Sequence, residues 1–163
     1  MSLFGSQRDF ALIRRMNRSL LRNIVEQEVG YFKISLEETQ ANIYGEALEK
    51  TFNEPVKLNC LVSRNGQVFT QDDFGTDVSR EISFAFLKDD LVDIGLLAEV
   101  GDIIQWHNDF YEVDATIENQ FLVGKDNNYN LPGRSADYGA SISIICSCHL
   151  TRADKLGITP VRL

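Results

Sequence analysis

Apolar positions follow a helical spacing at the start of this 163-residue chain and a strand spacing after Pro55. From Phe10 to about Glu28 they fall at Leu12, Ile13, Met16, Leu20, Leu21, Ile24 and Val25. Steps of one, three and four residues line one face of a helix. Gly30 is expected to end it, because glycine takes the left-handed conformation of a C-cap at no steric cost. Ser35-Leu36-Glu37-Glu38 then reads as a fresh helix start, a capping side chain followed by acids. It predicts a second helix through 37–48, interrupted near Gly45, and Pro55 closes this half.

Period two takes over at Val56-Lys57-Leu58-Asn59-Cys60-Leu61-Val62, which alternates apolar and polar until its end. Asn65-Gly66 is a turn signal. Residues 67–80 are polar with Phe69 and Phe74 embedded, and read as a long loop or an irregular hairpin. Glu81–Leu87 alternates again as a strand, and Lys88–Val92 starts a short helical turn. In VGDIIQWHNDFYEVD, Ile103–Trp106 is a strand and His107-Asn108-Asp109 its turn. Phe110–Val113 returns as the partner, and Asp114 ends it. Gln120–Gly124 gives another short strand, 125–140 a long loop, and Ser141–Leu150 the last strong strand. The pattern predicts a mainly β (α+β) fold, a small β-barrel or sandwich with an N-terminal helical segment and two long loops. It divides into a helical arm over 1–54, a barrel domain over 55–150 and a loose C-terminal extension over 151–163.

Composition narrows the class. Apolar residues are 44% of the chain, enough for a real core. No apolar run approaches the roughly 18–20 residues of a membrane span, and the first residues lack the pattern of a secretory signal. Three cysteines, Cys60, Cys146 and Cys148, are too few and too odd for a disulfide framework, and suit reduced, buried thiols. Charge is uneven. Residues 1–22 hold five arginines against one aspartate, and the remainder holds 11 basic and 23 acidic residues, so an arm at +4 precedes a body at −12 within a net −8. Such a body disfavours general nucleic-acid binding, which needs clustered Lys and Arg. The basic arm suits an acidic partner.

Candidate chemistry is sparse. His107 sits in a hairpin turn, and a general base needs a partner and a pocket. His149 follows Cys146 and Cys148, but on a strand the two cysteines share one face and the histidine takes the other. A structural zinc site wants four converging ligands. The acid pairs Asp72-Asp73 and Asp89-Asp90 point their side chains apart. No nucleophile elbow, phosphate loop or dinucleotide fingerprint occurs. Trp106, with Phe110 and Tyr111, suits hairpin packing or a ligand platform. These readings favour a protein that is no enzyme and has no metal or cofactor.

Taken together, MNRSLLRNIVEQEVGYFKISLEETQANIYGEALEKTF, PVKLNCLVSR, REISFAFLKDDLVDI, EVGDIIQWHNDFYEVD and SISIICSCHLTRADKLGI resemble neck proteins of contractile-tailed bacteriophages. That class comprises head–tail connector, head-completion and head-closure proteins. The resemblance runs over most of residues 16–158 in order and texture, and its most telling part is the GD-x-x-x-W…YEV hairpin. It implies a structural virion subunit, assembled in the host cytoplasm. Such a subunit forms a homo-oligomeric ring between portal and tail and contacts portal, adaptor or tail-terminator proteins. Packaged DNA passes through without sequence-specific binding, and no membrane is involved. A tail-terminator or tail-completion ring is the nearest alternative. A small ligand-binding barrel using Trp106 and Tyr111, or a hydrolase using His107 and His149, are the others. Charge and aromatic placement nominate Arg14, Arg15 and Arg18 on the arm, and Phe74 and Tyr129 in the loops, as interface residues.

Overall fold

Six antiparallel strands close into a barrel because alternation places an apolar row on the inner side of each. The computed structural model describes residues 7–35, 40–41, 47–72, 75–118, 141–153 and 156–161. Helix α1 (Gln7–Leu20) runs into a π-helical turn (Leu21–Val25). Strands β1 (Glu28–Phe32), β2 (Gln40–Ala41), β3 (Ala47–Glu49), β4 (Val56–Asp72) and β5 (Gly75–Leu87) follow. Then come α2 (Lys88–Asp93), β6 (Ile103–Trp106), β7 (Asp109–Ile117) and β8 (Ser143–Thr151). Around the barrel the order is β1-β4-β5-β8-β7-β6. Every seam is antiparallel, and β1 pairs with β6 to close it.

The inward row supplies the core: Val29 and Tyr31, Leu58 and Cys60, Ile82, Phe84 and Phe86, Ile104 and Trp106, Tyr111 and Val113, Ile144, Cys146 and Cys148. Each large side chain buried this way is worth roughly 1.5–3 kcal/mol. Phe84 organises the aromatics, edge-on to Tyr111 at 5.6 Å and to Trp106 at 6.4 Å. Leu91 of α2 and Ala98 of the following loop join the same cluster and plug one end of the barrel.

A second, smaller core lies outside the barrel wall. Phe32, Ile103 and Phe110 face outward and are covered by Leu156, Ile158 and Val161, with Phe52 alongside. Strand β6 is therefore buried on both faces. Gln105, on its outer face, is buried too, and its side-chain amide reads the backbone of the tail. Its Nε2 donates to the Val161 carbonyl at 2.8 Å, and its Oε1 accepts from the Val161 N–H at 2.8 Å. The C-terminal segment is thus docked, where the sequence suggested a loose extension. Its apolar positions are too few for a periodic signal, and their partners lie far away in the chain.

Three further expectations change. Gly30 does not end the helix. Glu26 does, in the left-handed conformation at φ 49° with its N–H on the Leu21 carbonyl. Val29-Gly30-Tyr31-Phe32 extends the apolar run of the helix without a break, but barrel closure claims these residues as β1. The division at residue 55 fails for the same reason: β1 lies between β4 and β6, inside the barrel. In place of the second helix, the described parts of 33–53 form an antiparallel excursion. Ile34 bridges Phe52, Ser35 N–H donates to the Thr51 carbonyl, and β2 pairs with β3.

The β4–β5 region resolves as a hairpin. Pairing runs from Cys60↔Phe86 to Asp72↔Gly75, with a register shift between Arg64 and Gln67. Asn65-Gly66 therefore marks a bulge within β4, not a turn, consistent with glycine's tolerance of irregular strand backbone. The short helix α2 and the β6–β7 hairpin stand where expected, except that β7 runs on to Ile117 past a register shift at Asp114, the residue expected to end it. The hairpin turn is His107-Asn108, with His107 at φ 54°. The strand expected over 120–124 and the loop over 125–140 lie outside the described residues.

Candidate functional site

Helix α1 presents two opposite faces. Arg14, Arg18 and Arg22 recur every four residues, so they stack along one side. They meet the carboxylates of α2: Arg14 to Asp89 at 3.3 Å, Arg18 to Asp93 at 2.5 Å and to Asp90 at 2.7 Å, and Arg22 to Asp90 at 3.0 Å. Asp90 is buried, and two guanidiniums share its Oδ1. The hydrogen bond to Asp93 is the main influence raising the Arg18 pKa further, against the opposing cost of burial. Leu21 turns inward and is buried.

The opposite face stays in solvent. Leu12 is 56% exposed, Met16 61%, Leu20 46% and Ile24 77%. The apolar stripe visible in the sequence is thus divided: Leu21 packs inward and Ile13 and Val25 are half-buried, while Leu12, Met16, Leu20 and Ile24 face solvent. Of the interface nominees, Arg14 and Arg18 are engaged with α2, and Arg15 is exposed. Phe74 and Tyr129 lie outside the described residues.

At the end of the barrel away from α2, the inward row turns polar. Arg64 follows Val62 on β4, Arg80 precedes Ile82 on β5, and Asp109 precedes Tyr111 on β7. With Trp106, His107 and Glu81 they line a cavity of about 120 Å³. The Arg64 guanidinium lies 4.5 Å from the centre of the Trp106 ring, a cation–π distance. The His107 ring sits 4.6 Å from the same indole. Arg80 reaches Asp109 only loosely, at 3.6 Å. On this lining two buried donors, Trp106 Nε1 and Arg80 Nε, find no acceptor among the described residues. The Tyr111 phenol is pushed up chiefly by burial and by the Asp109 charge, while Arg80 and Arg64 pull it back, so these groups share one electrostatic environment.

Near the plugged end the site is satisfied. Asp102 is fully buried and accepts from the Tyr31 hydroxyl at 2.6 Å, Lys33 Nζ at 3.1 Å, Glu99 N–H at 2.9 Å and Ile34 N–H at 3.0 Å. Lys33 also reaches Glu99 at 2.7 Å and the Leu97 carbonyl at 2.8 Å. Buried charge with this many partners is architecture.

His107 at the barrel mouth, the cysteines and His149 do not share one site. Cys146 and Cys148 point into the barrel, and His149 sits on its outer wall, with Nδ1 2.7 Å from Asp114. Asp114 occupies the register shift in β7 between Val113 and Ala115. Burial raises the thiols of Cys60 and Cys146 to about 12, and that of Cys148 further, far from a reactive thiolate. Among the described residues no group of three or more His, Cys, Asp and Glu is placed to hold a metal. Among those residues, too, no helix is long and apolar enough to cross a membrane.

Sequence reading identified Trp106, His107 and Tyr111 but missed Arg64, Arg80, Asp102 and Gln105. Parity along β4 and β5 would have placed both arginines on the inner row, had Asn65-Gly66 not been taken as the end of β4. No family model matches the chain, and no curated protein matches it significantly.

Proposed function

We propose that this chain is a structural subunit of a phage neck, forming a ring between portal and tail around the DNA channel and helping to retain the genome. The observation that carries this reading is the exposed stripe Leu12, Met16, Leu20 and Ile24 on a helix whose other face is pinned to α2. A helix normally buries its apolar stripe. Here the ion pairs fix the helix with that stripe outward, as a subunit contact in a closed ring requires. The resemblance to neck proteins supplies the kind of assembly, with portal or tail proteins as neighbours. The net charge of −8 suits a channel that DNA crosses without sticking.

Native mass of the full chain over a range of concentrations, with negative-stain images, tests the reading. A closed ring is expected, formed by the chain alone or on isolated heads. Leu12→Ser with Met16→Ser should abolish it while leaving the far-UV circular dichroism intact. A chain that stays monomeric and ignores isolated heads overturns the proposal. Recovery on tailless heads favours the neck, and recovery on free tails a tail-terminator position.

A further inference from the structure

We infer that the open mouth of the barrel binds a carboxylate group, held by the Arg64 and Arg80 guanidiniums and the indole N–H of Trp106. This inference rests on the mouth alone and is independent of ring formation.

A simpler role exists for part of this cluster. Arg64 over Trp106 closes off the end of an apolar core, and cation–π contact explains that stacking. It does not explain the donors. Trp106 is 7% exposed, and neither its Nε1 nor Arg80 Nε has an acceptor among the described residues. A buried donor without an acceptor costs the full desolvation penalty of the group. Both atoms are donors, so a group that satisfies them is an acceptor. Arginine forks match the planar geometry of a carboxylate, and its charge strengthens each bond. The cavity, about 120 Å³, holds a small group of this kind. Asp109 and Glu81 on its lining favour a single negative charge over a phosphate dianion. Arg64, exposed and long, lies over the indole at the rim, where its guanidinium can reach the bound group.

A carboxylate reaches this mouth from two sources: a free small acid, or an acidic side chain of a second copy of the chain, which has 24 such residues. Trp106 is the only tryptophan, so its emission reports the site directly. The full chain is titrated with sodium acetate against sodium chloride at constant ionic strength and pH 7. A saturable emission shift is expected. Arg80→Gln should weaken it roughly tenfold, the loss of one charge-assisted hydrogen bond. Arg64→Gln should also weaken it, and this exposed position carries the test if Arg80→Gln fails to fold. Arg22→Gln, on the helix pinned to α2, should leave it unchanged. A shift at fixed protein concentration assigns a free acid. A shift that grows with protein concentration in chloride and is reversed by acetate assigns the second copy. Emission that is identical in both salts at every protein concentration overturns the site. So does a shift that both arginine variants retain.

Discussion

The Tyr31 hydroxyl donates a 2.6 Å hydrogen bond to Asp102, joining β1 to the loop that enters β6. The same carboxylate holds the N–H groups of Glu99 and Ile34 and the Lys33 ammonium. It therefore fixes the two strands whose pairing closes the barrel. Burial, and then this bond to Asp102, push the Tyr31 phenol far above its ordinary range, so it stays a donor. Tyr31→Phe removes one of several partners and should cost about 1–2 kcal/mol. Asp102→Ala strands two backbone donors and the buried Tyr31 hydroxyl together, and should cost about 3–5 kcal/mol. Urea unfolding of both variants checks the ranking. Equal losses would mean that Asp102 anchors no more than the phenol.

Gln105 clamps the tail through the backbone of Val161. Truncation after residue 155 uncovers Phe32, Ile103 and Phe110, and should destabilise the barrel by about 2–4 kcal/mol. Gln105→Ala should free the end of the tail, seen as faster amide exchange at Val161, with a smaller loss of stability. Unchanged exchange would show that the apolar contacts alone hold the segment.

The three core thiols make the fold sensitive to alkali. Each is neutral in the folded chain up to about pH 12 or beyond, whereas an unfolded cysteine ionises near 9. Above pH 9 the unfolded state has lost protons that the folded state keeps, so stability falls as pH rises from 9 to 12. Below 9 the thiols contribute no slope. Each thiol contributes on the order of a few kcal/mol across this window. Thermal melts at several pH values should show the decline, and Cys146→Ala should flatten it. Native protein at pH 8 should resist alkylation by iodoacetamide and take up three labels once unfolded.

Ion pairs hold α1 in place. Asp90→Asn removes a charge shared by Arg18 and Arg22. The barrel should lose only about 1 kcal/mol, because the two arginine partners, unlike the buried Asp90, are partly exposed and the pairs are screened from that side. Cleavage by trypsin within α1 should accelerate, as it should for the parent in 1 M salt. A cleavage rate unmoved by either change would show that Leu21 packing alone positions the helix.

Much of the barrel was legible in the chain because its residues alternate with the pleat. Ile104 and Trp106 point in, Cys146 and Cys148 point in, and His149 points out, as period two requires. Limits appear where one pattern has two readings. Val29 to Phe32 extends a helical stripe without a break, and only pairing with β4 and β6 makes it a strand. Gln105 reads as an ordinary outward polar residue, since nothing local announces a tail partner 56 positions later. The α1 stripe was visible, but its direction was not, because the carboxylates that orient it come from α2.

A closed barrel has no edges, yet this one grows new ones. Past Arg64 and Arg80 the β4–β5 pair continues to Asp72 and Gly75 without a third strand beside it among the described residues. Six paired positions at about 3.3 Å each carry that ribbon roughly 20 Å. Along it, one backbone edge on each strand is left outside the ladder. Among the described residues the molecule thus combines a barrel closed edge to edge with an unpaired ribbon, and a neighbour that joins that ribbon through main-chain hydrogen bonds finds donors and acceptors already aligned there.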